Sequence, residues 1–197
     1  MQEIDNILSL APLLLFPDSD TYYYVQVLER KTEYTKQRYS NIIVSQKNLE
    51  QAIPGIKDIC QKFVARAYIS IIPRSLKKFT LELGCEVLKR LSNNVYQASN
   101  FRLPDSVALS PKTTKSKGST WLFDIDNPEH KDPVESWCKK SGICIKAVVQ
   151  TFHGYHFLVQ PFNPTPLGIT DSMIVKLGDG VEFGIKKDAN TILYGIS

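Results

Sequence analysis

Trp121-Leu122-Phe123-Asp124-Ile125-Asp126 alternates apolar and acidic side chains, and residues two apart on a strand point to the same face. Asp124 and Asp126 should therefore emerge together, with Phe123 and Ile125 turned into a core, until Asn127-Pro128 ends the pairing. Two carboxylates this close raise each other's pKa unless a cation lies between them, so the pair favours a divalent metal. Magnesium or manganese (Mg2+ or Mn2+) is the natural candidate for oxygen donors of this kind. The bland counterpart is a D-x-D at a surface turn.

Downstream, the pattern predicts a helix over about 132–141 and strands over 143–150 and 155–160. Between those strands stands Thr151-Phe152-His153-Gly154-Tyr155-His156, a tight glycine turn that delivers a histidine to the start of an apolar strand. Gly154 lets the backbone approach a ligand closely, and a histidine there can meet a phosphate or serve as a hydrogen-bonded structural residue. A zinc shared by His153 and His156 lacks a suitably spaced third ligand. Further on, Val181-Glu182-Phe183-Gly184-Ile185-Lys186-Lys187-Asp188 places Glu182, Gly184 and Lys186 on one strand face. Residues 180–187 and 191–196 read as a closing hairpin.

Upstream, Tyr22-Tyr23-Tyr24-Val25-Gln26-Val27-Leu28 reads as a strand, with a second at 41–45. A helix capped by Ser45 should run to about residue 63, with Pro54 near its first turns or bending it. A strand over 64–72 and a helix from Leu76 to about Leu91 follow. Residues 95–118 lack periodicity and form a long connection, of the kind that is often functional. Strands outnumber helices and alternate with them irregularly. The expectation is an α+β fold of mainly antiparallel sheets with packed helices: an amino-terminal lobe over 1–110 and a second lobe over 111–197, in one unit.

The 197 residues are 43% hydrophobic and 22% charged, as in an ordinary globular protein. The apolar stretch over 7–16 is too short and interrupted for a membrane span, and it lacks a secretory signal's basic start, so a cytoplasmic location is expected. Four scattered cysteines form no C-x-x-C pair and read as small buried hydrophobes. The net charge of +4 is unevenly spread. Residues 21–117 carry 17 Lys/Arg against 7 Asp/Glu, whereas residues 118–197 carry 7 against 9. A basic front half suits a phosphate backbone, and Arg66, Arg74, Lys77, Lys78, Lys112, Lys115 and Lys117 are the residues expected to hold it.

In order, the F-D-I-D, T-F-H-G-Y-H and V-E-F-G-I-K-K segments resemble the three motifs of the archaeo-eukaryotic primase superfamily, especially the primase-polymerase branch of phages and plasmids. The resemblance covers about residues 119–196 and implies an RRM-like catalytic half in a two-lobed primase-like core. It implies Asp124, Asp126 and Glu182 as metal ligands, with Asp188 the other candidate for the third acid. His156 would contact the nucleotide within the turn of Thr151 and Gly154, and Lys186 and Lys187 would neutralise its triphosphate. The implied activity is two-metal nucleotidyl transfer in DNA replication, on a single-stranded DNA template with nucleoside triphosphates. A replicative helicase or second primase subunit would be the partner, in a phage-infected cytoplasm. A metal-dependent nuclease, or a non-catalytic nucleic-acid-binding or anti-defence phage protein, stays open.

Overall fold

The aromatic and β-branched run that opens at Thr21 becomes a strand paired on both edges, as its burial on both faces demands. The computed structural model describes residues 2–30, 36–95, 97, 102–115, 120–169, 174–187 and 189–197. The first half contains β1 (Glu3–Asp5), α1 (Ile7–Leu10), β2 (Thr21–Arg30), β3 (Lys36–Ser45), α2 (Leu49–Phe63), β4 (Arg66–Ser70), β5 (Arg74–Ser75), α3 (Leu76–Ser92) and α4 (Leu103–Ala108). The second contains β6 (Trp121–Ile125), α5 (Lys131–Lys140), β7 (Ile145–Gln150), β8 (Tyr155–Val159), β9 (Ile174–Gly178), β10 (Val181–Lys186) and β11 (Asn190–Ile196). Among the described residues these strands make two antiparallel sheets, ordered β1-β11-β4-β2-β3, with β5 also on β2, and β7-β8-β6-β10-β9. The fold is α+β, as expected.

Alternation assigns each sheet its two faces. Phe123, Phe183 and Ile185 face α5, which lays Val134, Trp137 and Cys138 on them, with the Phe123 and Phe183 rings 4.8 Å apart. On the opposite face Leu122 and Leu158 join Ile192, Leu193 and the first sheet in a single apolar cluster, so the sheets share a core. In the first sheet Val25, Val27 and Ala67 are buried in the same cluster as Ile56 and Cys60 of α2. The other face of β2 carries Tyr22 and Tyr24, buried with Ala108 beside Phe79 and Leu109.

Several expectations change. The closing hairpin does not form: β10 pairs with β6 and β9, while β11 enters the first sheet between β1 and β4. The reason is burial, because six successive residues from Thr191 to Ile196 are buried and only an interior strand satisfies that. The lobes therefore interleave rather than divide at residue 110. Helix α2 starts at Leu49 because Asn48, instead of Ser45, sits at its N-cap, and Asn48 bonds back to Ser45 N and Ile43 O. Helix α3 forms where expected but buries none of its residues. Cys60 and Cys138 are buried, and burial pushes both thiols up to about 12, whereas Cys85 and Cys144 are exposed. Among the described residues no helix is long and apolar enough to cross a membrane.

Asn6 joins the two sheets. It is 5% exposed, and its Nδ2 donates to Gln150 O at 2.9 Å and Ile192 O at 3.2 Å, while Gln150 N donates to its Oδ1 at 3.2 Å. Asn6→Ala strands these backbone groups in the interior, where each unmet group is costly, so a loss of about 2–4 kcal/mol is expected. Chemical denaturation checks it: the midpoint should fall at unchanged slope, and a loss below about 0.5 kcal/mol would mean that the contacts are dispensable.

Candidate functional site

The face of β6 that carries Leu122 also carries Asp124, and it looks across at the first sheet. Register places His156 of β8 on one side of Asp124 and Gly184 of β10 on the other. Lys186, two residues beyond Gly184, forms an ion pair with Asp124 Oδ2. His156 Nε2 lies 3.1 Å from Asp124 Oδ1, and its Nδ1 lies 2.9 Å from Oγ1 of Thr191, a fully buried residue of β11. An ionised carboxylate only accepts, so the Nε2 nitrogen carries the proton of that bond. The hydrogen bond from His156 and the neighbouring Lys186 ammonium together outweigh burial and hold the Asp124 carboxyl below the usual carboxylate range.

Beneath this group the T-x-x-G turn has a mechanical logic. Thr151 Oγ1 accepts from Gly154 N at 2.9 Å and His153 N at 3.4 Å, and Thr151 N donates to Gly154 O at 2.9 Å. The loop is thereby pulled tight, and Gly154 rests on the backbone of Ile125 and Asp126. Thr151 and Gly154 act as turn formers that seat the end of β6.

A cavity of about 340 Å³ opens between the sheets. Asp124, Asp126, His153, His156, Thr151 and Lys186 line it from the second sheet and its loop. Gln26, Leu28, Arg66, Tyr68, Asn190 and Ile192 line it from the first. A second cavity, of about 250 Å³, adjoins on the other side of Asp124 and Asp126 and is bounded by Asn127, His130 and Glu182.

The structure thus brings together Asp124, Asp126, Thr151, Gly154, His156, Lys186 and Arg66, and separates others. Glu182 shares the strand face with Lys186, yet it points into the adjoining cavity, 60% exposed and 3.9 Å from Lys176. Lys187 alternates to the far face and lies 4.9 Å from the Trp121 ring centre. Arg74 is buried and donates to Ser110 O at 2.8 Å and Thr113 Oγ1 at 3.0 Å. Lys78 Nζ donates to Thr114 O at 2.9 Å, Lys112 pairs with Glu82 at 2.9 Å, and Lys115 pairs with Asp18 and donates to Thr21 Oγ1 at 2.9 Å. These four cations fasten the connecting segment to the body rather than facing the cavity, and Lys77 is exposed at the start of α3. Lys117 and Asp188 lie outside the described residues.

The sequence singled out His156 as the histidine for a ligand, but both of its ring nitrogens are engaged within the protein. His153, on the exposed tip of the turn, lines the cavity instead. Gln26 and Tyr68 were also missed. Their signal is a polar residue inside the apolar strand from Tyr22 to Leu28 and its cross-strand partner on β4.

Among the described residues no cluster of three His, Cys, Asp or Glu groups assembles. Of the expected carboxylates, Asp124 and Asp126 line the cavity between the sheets, Glu182 lies outside it, and Asp188 is not among the described residues. A carboxylate pair facing a roomy polar cavity suits magnesium or manganese, which commonly takes one or two protein carboxylates and completes its shell with water and substrate phosphates. It does not suit a closed structural zinc site. Comparison with protein-family models, with curated proteins and with solved structures gives no match for this chain.

Proposed function

We propose that this protein is a metal-dependent nucleotidyltransferase of the primase-polymerase type, which extends a strand on a single-stranded DNA template from nucleoside triphosphates. One observation carries the proposal: residues from all three motif-like segments, Asp124 and Asp126, Thr151 and His156, and Lys186, line one cavity between the sheets. The order β7-β8-β6-β10 supports an RRM-like half, because a β-α-β-β unit followed by a fourth strand on the free side of the first is the way such a sheet is built. Between β8 and β10 the described residues carry a short 3-10 turn and β9 rather than a second helix.

In this proposal Asp124 and Asp126 hold the magnesium or manganese. When bound, that ion polarises the reacting phosphoryl group and offsets its developing charge. Lys186, already beside Asp124, would neutralise triphosphate oxygens. His156, anchored on Thr191, keeps Asp124 in one orientation. Arg66, stacked 3.9 Å over the Phe152 ring, offers a fixed positive charge on the cavity wall.

A second reading, a non-catalytic nucleic-acid-binding protein of the same architecture, draws on the pairing of Asp124 with Lys186 and on the absence of a third acid beside the pair among the described residues. Incubation of a labelled primed strand with nucleoside triphosphates and Mg2+ or Mn2+ separates the possibilities on a gel. Metal-dependent lengthening is the expected result. Shortening without nucleotides would mark a nuclease, and a retarded but unchanged strand a binding protein.

A further inference from the structure

Helix α3 carries an apolar face that is turned outward. Leu81, Leu88 and Leu91, with Val95 just past the helix end, are between 52% and 67% exposed, and exposed Gly84 lies among them. Positions 81, 84, 88, 91 and 95 follow one another at alternating spacings of three and four, so they form one straight seam along the helix. The inner side of α3 is occupied by the body of the protein: Phe79 packs on Tyr22, and Glu82 pairs with Lys112 at 2.9 Å. A single exposed leucine is ordinary, whereas a contiguous exposed row marks an interaction surface. At its amino-terminal end the seam runs into a groove lined by Leu76, Lys77, Thr80 and Leu81 of the helix and by Ser19 and Asp20. The Asp20 carboxylate there accepts from Ser75 Oγ and Lys77 N, both at 2.7 Å, and so is engaged within the chain.

The charges around the seam have one sign. Lys77, Lys78 and Lys89 are the exposed charged residues of α3, while Glu82 and Glu86 are half-buried on its inner side. Pairing with a second copy of the helix sets lysine against lysine in the parallel sense, and Lys77 and Lys78 against Lys89 in the antiparallel sense, so charge disfavours self-association. A gap at Gly84 lets a facing helix approach closely and insert a side chain, whereas it removes apolar area that binding to a lipid surface uses. A complementary occupant is therefore another helix whose flanks are acidic.

We infer that the outer face of α3 is the docking surface for an amphipathic helix of another protein, which lays apolar side chains along Leu81, Leu88 and Leu91 and sets acidic side chains opposite Lys77 and Lys89. None of these residues lines the cavity between the sheets, so the inference stands apart from the nucleotidyltransferase proposal.

The test uses synthetic, fluorescently labelled helical peptides with one leucine seam, flanked by glutamate, by glutamine or by lysine. Their binding is measured to wild type, to Leu81→Gln/Leu88→Gln and to Lys77→Glu/Lys89→Glu. Both substituted pairs are exposed, so melting temperatures should match wild type. The expected result is that wild type prefers the glutamate-flanked peptide over the lysine-flanked one by about tenfold or more, and that the leucine variant loses about as much affinity. The charge-reversed variant should come to prefer the lysine-flanked peptide. Equal binding of the three peptides, binding retained by the folded leucine variant, or no binding to wild type would overturn the inference. Two further measurements put the rival occupants at risk of being right. A wild-type dimer in sedimentation equilibrium that the leucine variant abolishes would overturn the inference in favour of a second copy. Leucine-dependent binding to vesicles of equimolar phosphatidylcholine and phosphatidylserine, without binding of the glutamate-flanked peptide, would overturn it in favour of a membrane surface.

Discussion

Asp124→Asn is expected to reduce metal-dependent nucleotide incorporation by about a thousandfold or more. Metal-mediated charge stabilisation is worth several kcal/mol, and each 1.36 kcal/mol is a factor of about ten in rate. Asparagine keeps the shape and loses the charge that holds the cation. From the sequence alone the same substitution reads as harmless to the fold, because two adjacent carboxylates repel. The structure reverses that sign. Asp124 is flanked by Lys186 and His156, so its charge is already compensated, and removing it strands both partners. A stability loss of about 1–3 kcal/mol follows, most of it from the shielded His156 contact, since Lys186 is half-exposed and screened by solvent. The pH dependence has a definite direction. The folded-state pKa lies below the unfolded value of about 3.9, so the contribution is fully present above that pH and is lost as the pH falls toward the lowered value. Thermal melts of the metal-free protein from pH 7 down to pH 3 should show this acid-side loss in wild type and a shallower one in Asp124→Asn. A variant that still incorporates nucleotides at the wild-type rate would dismiss the nucleotidyltransferase proposal.

How much of this was legible beforehand depends on the range of the interaction. Features set by neighbours in the chain were readable: the alternation that turns Asp124 to one face and Phe123 to the other, the turn at Gly154, and the shared face of Glu182 and Lys186. These follow from a period of two and from turn chemistry, which act over a few residues. Pairings across the chain were not readable. Nothing local says that β11 leaves β10 for the first sheet, because its mostly apolar run satisfies either partner until the sheets compete to bury it. Helix α3 forms as its apolar spacing predicts, but that face is only half-buried: Phe79 packs against Tyr22, and no residue of the helix is fully buried. The charge of the basic connection was readable but its pairing was not: Lys112 and Lys115 form ion pairs with Glu82 and Asp18, acids 30 and 97 residues away in the chain. For the candidate site, one wall could be read from the motifs. The other wall, with Gln26 and Tyr68, exists only because two sheets face each other.

Gly154→Ala should be the most damaging small substitution in the chain. A Cβ built on Gly154 falls 1.9 Å from Ile125 O and 3.0 Å from the carbonyl carbons of Ile125 and Asp126. Those neighbours are backbone, and no rotamer change clears them. Ile125 is also fixed by its pairing with Tyr155, so relief requires separating the 151–154 turn from the end of β6. Overpacking of this kind costs about 3 kcal/mol or more, and the displaced segment is the one that presents Asp126. The expected result is a marked fall in the denaturation midpoint together with loss of incorporation by the fraction that remains folded. Two controls isolate the cause. Gly55 and Gly84, on α2 and α3, would place a Cβ in open space, so alanine there should stabilise by about 0.5–1 kcal/mol through helix propensity. If Gly154→Ala behaves like these helical controls, the turn does not rest on the D-x-D strand, and the geometry that joins His153 and Thr151 to Asp124 is wrong. If it unfolds the protein while both controls stabilise it, the glycine of the T-x-x-G turn is required by the close approach of two backbones, before any contact with a ligand is considered.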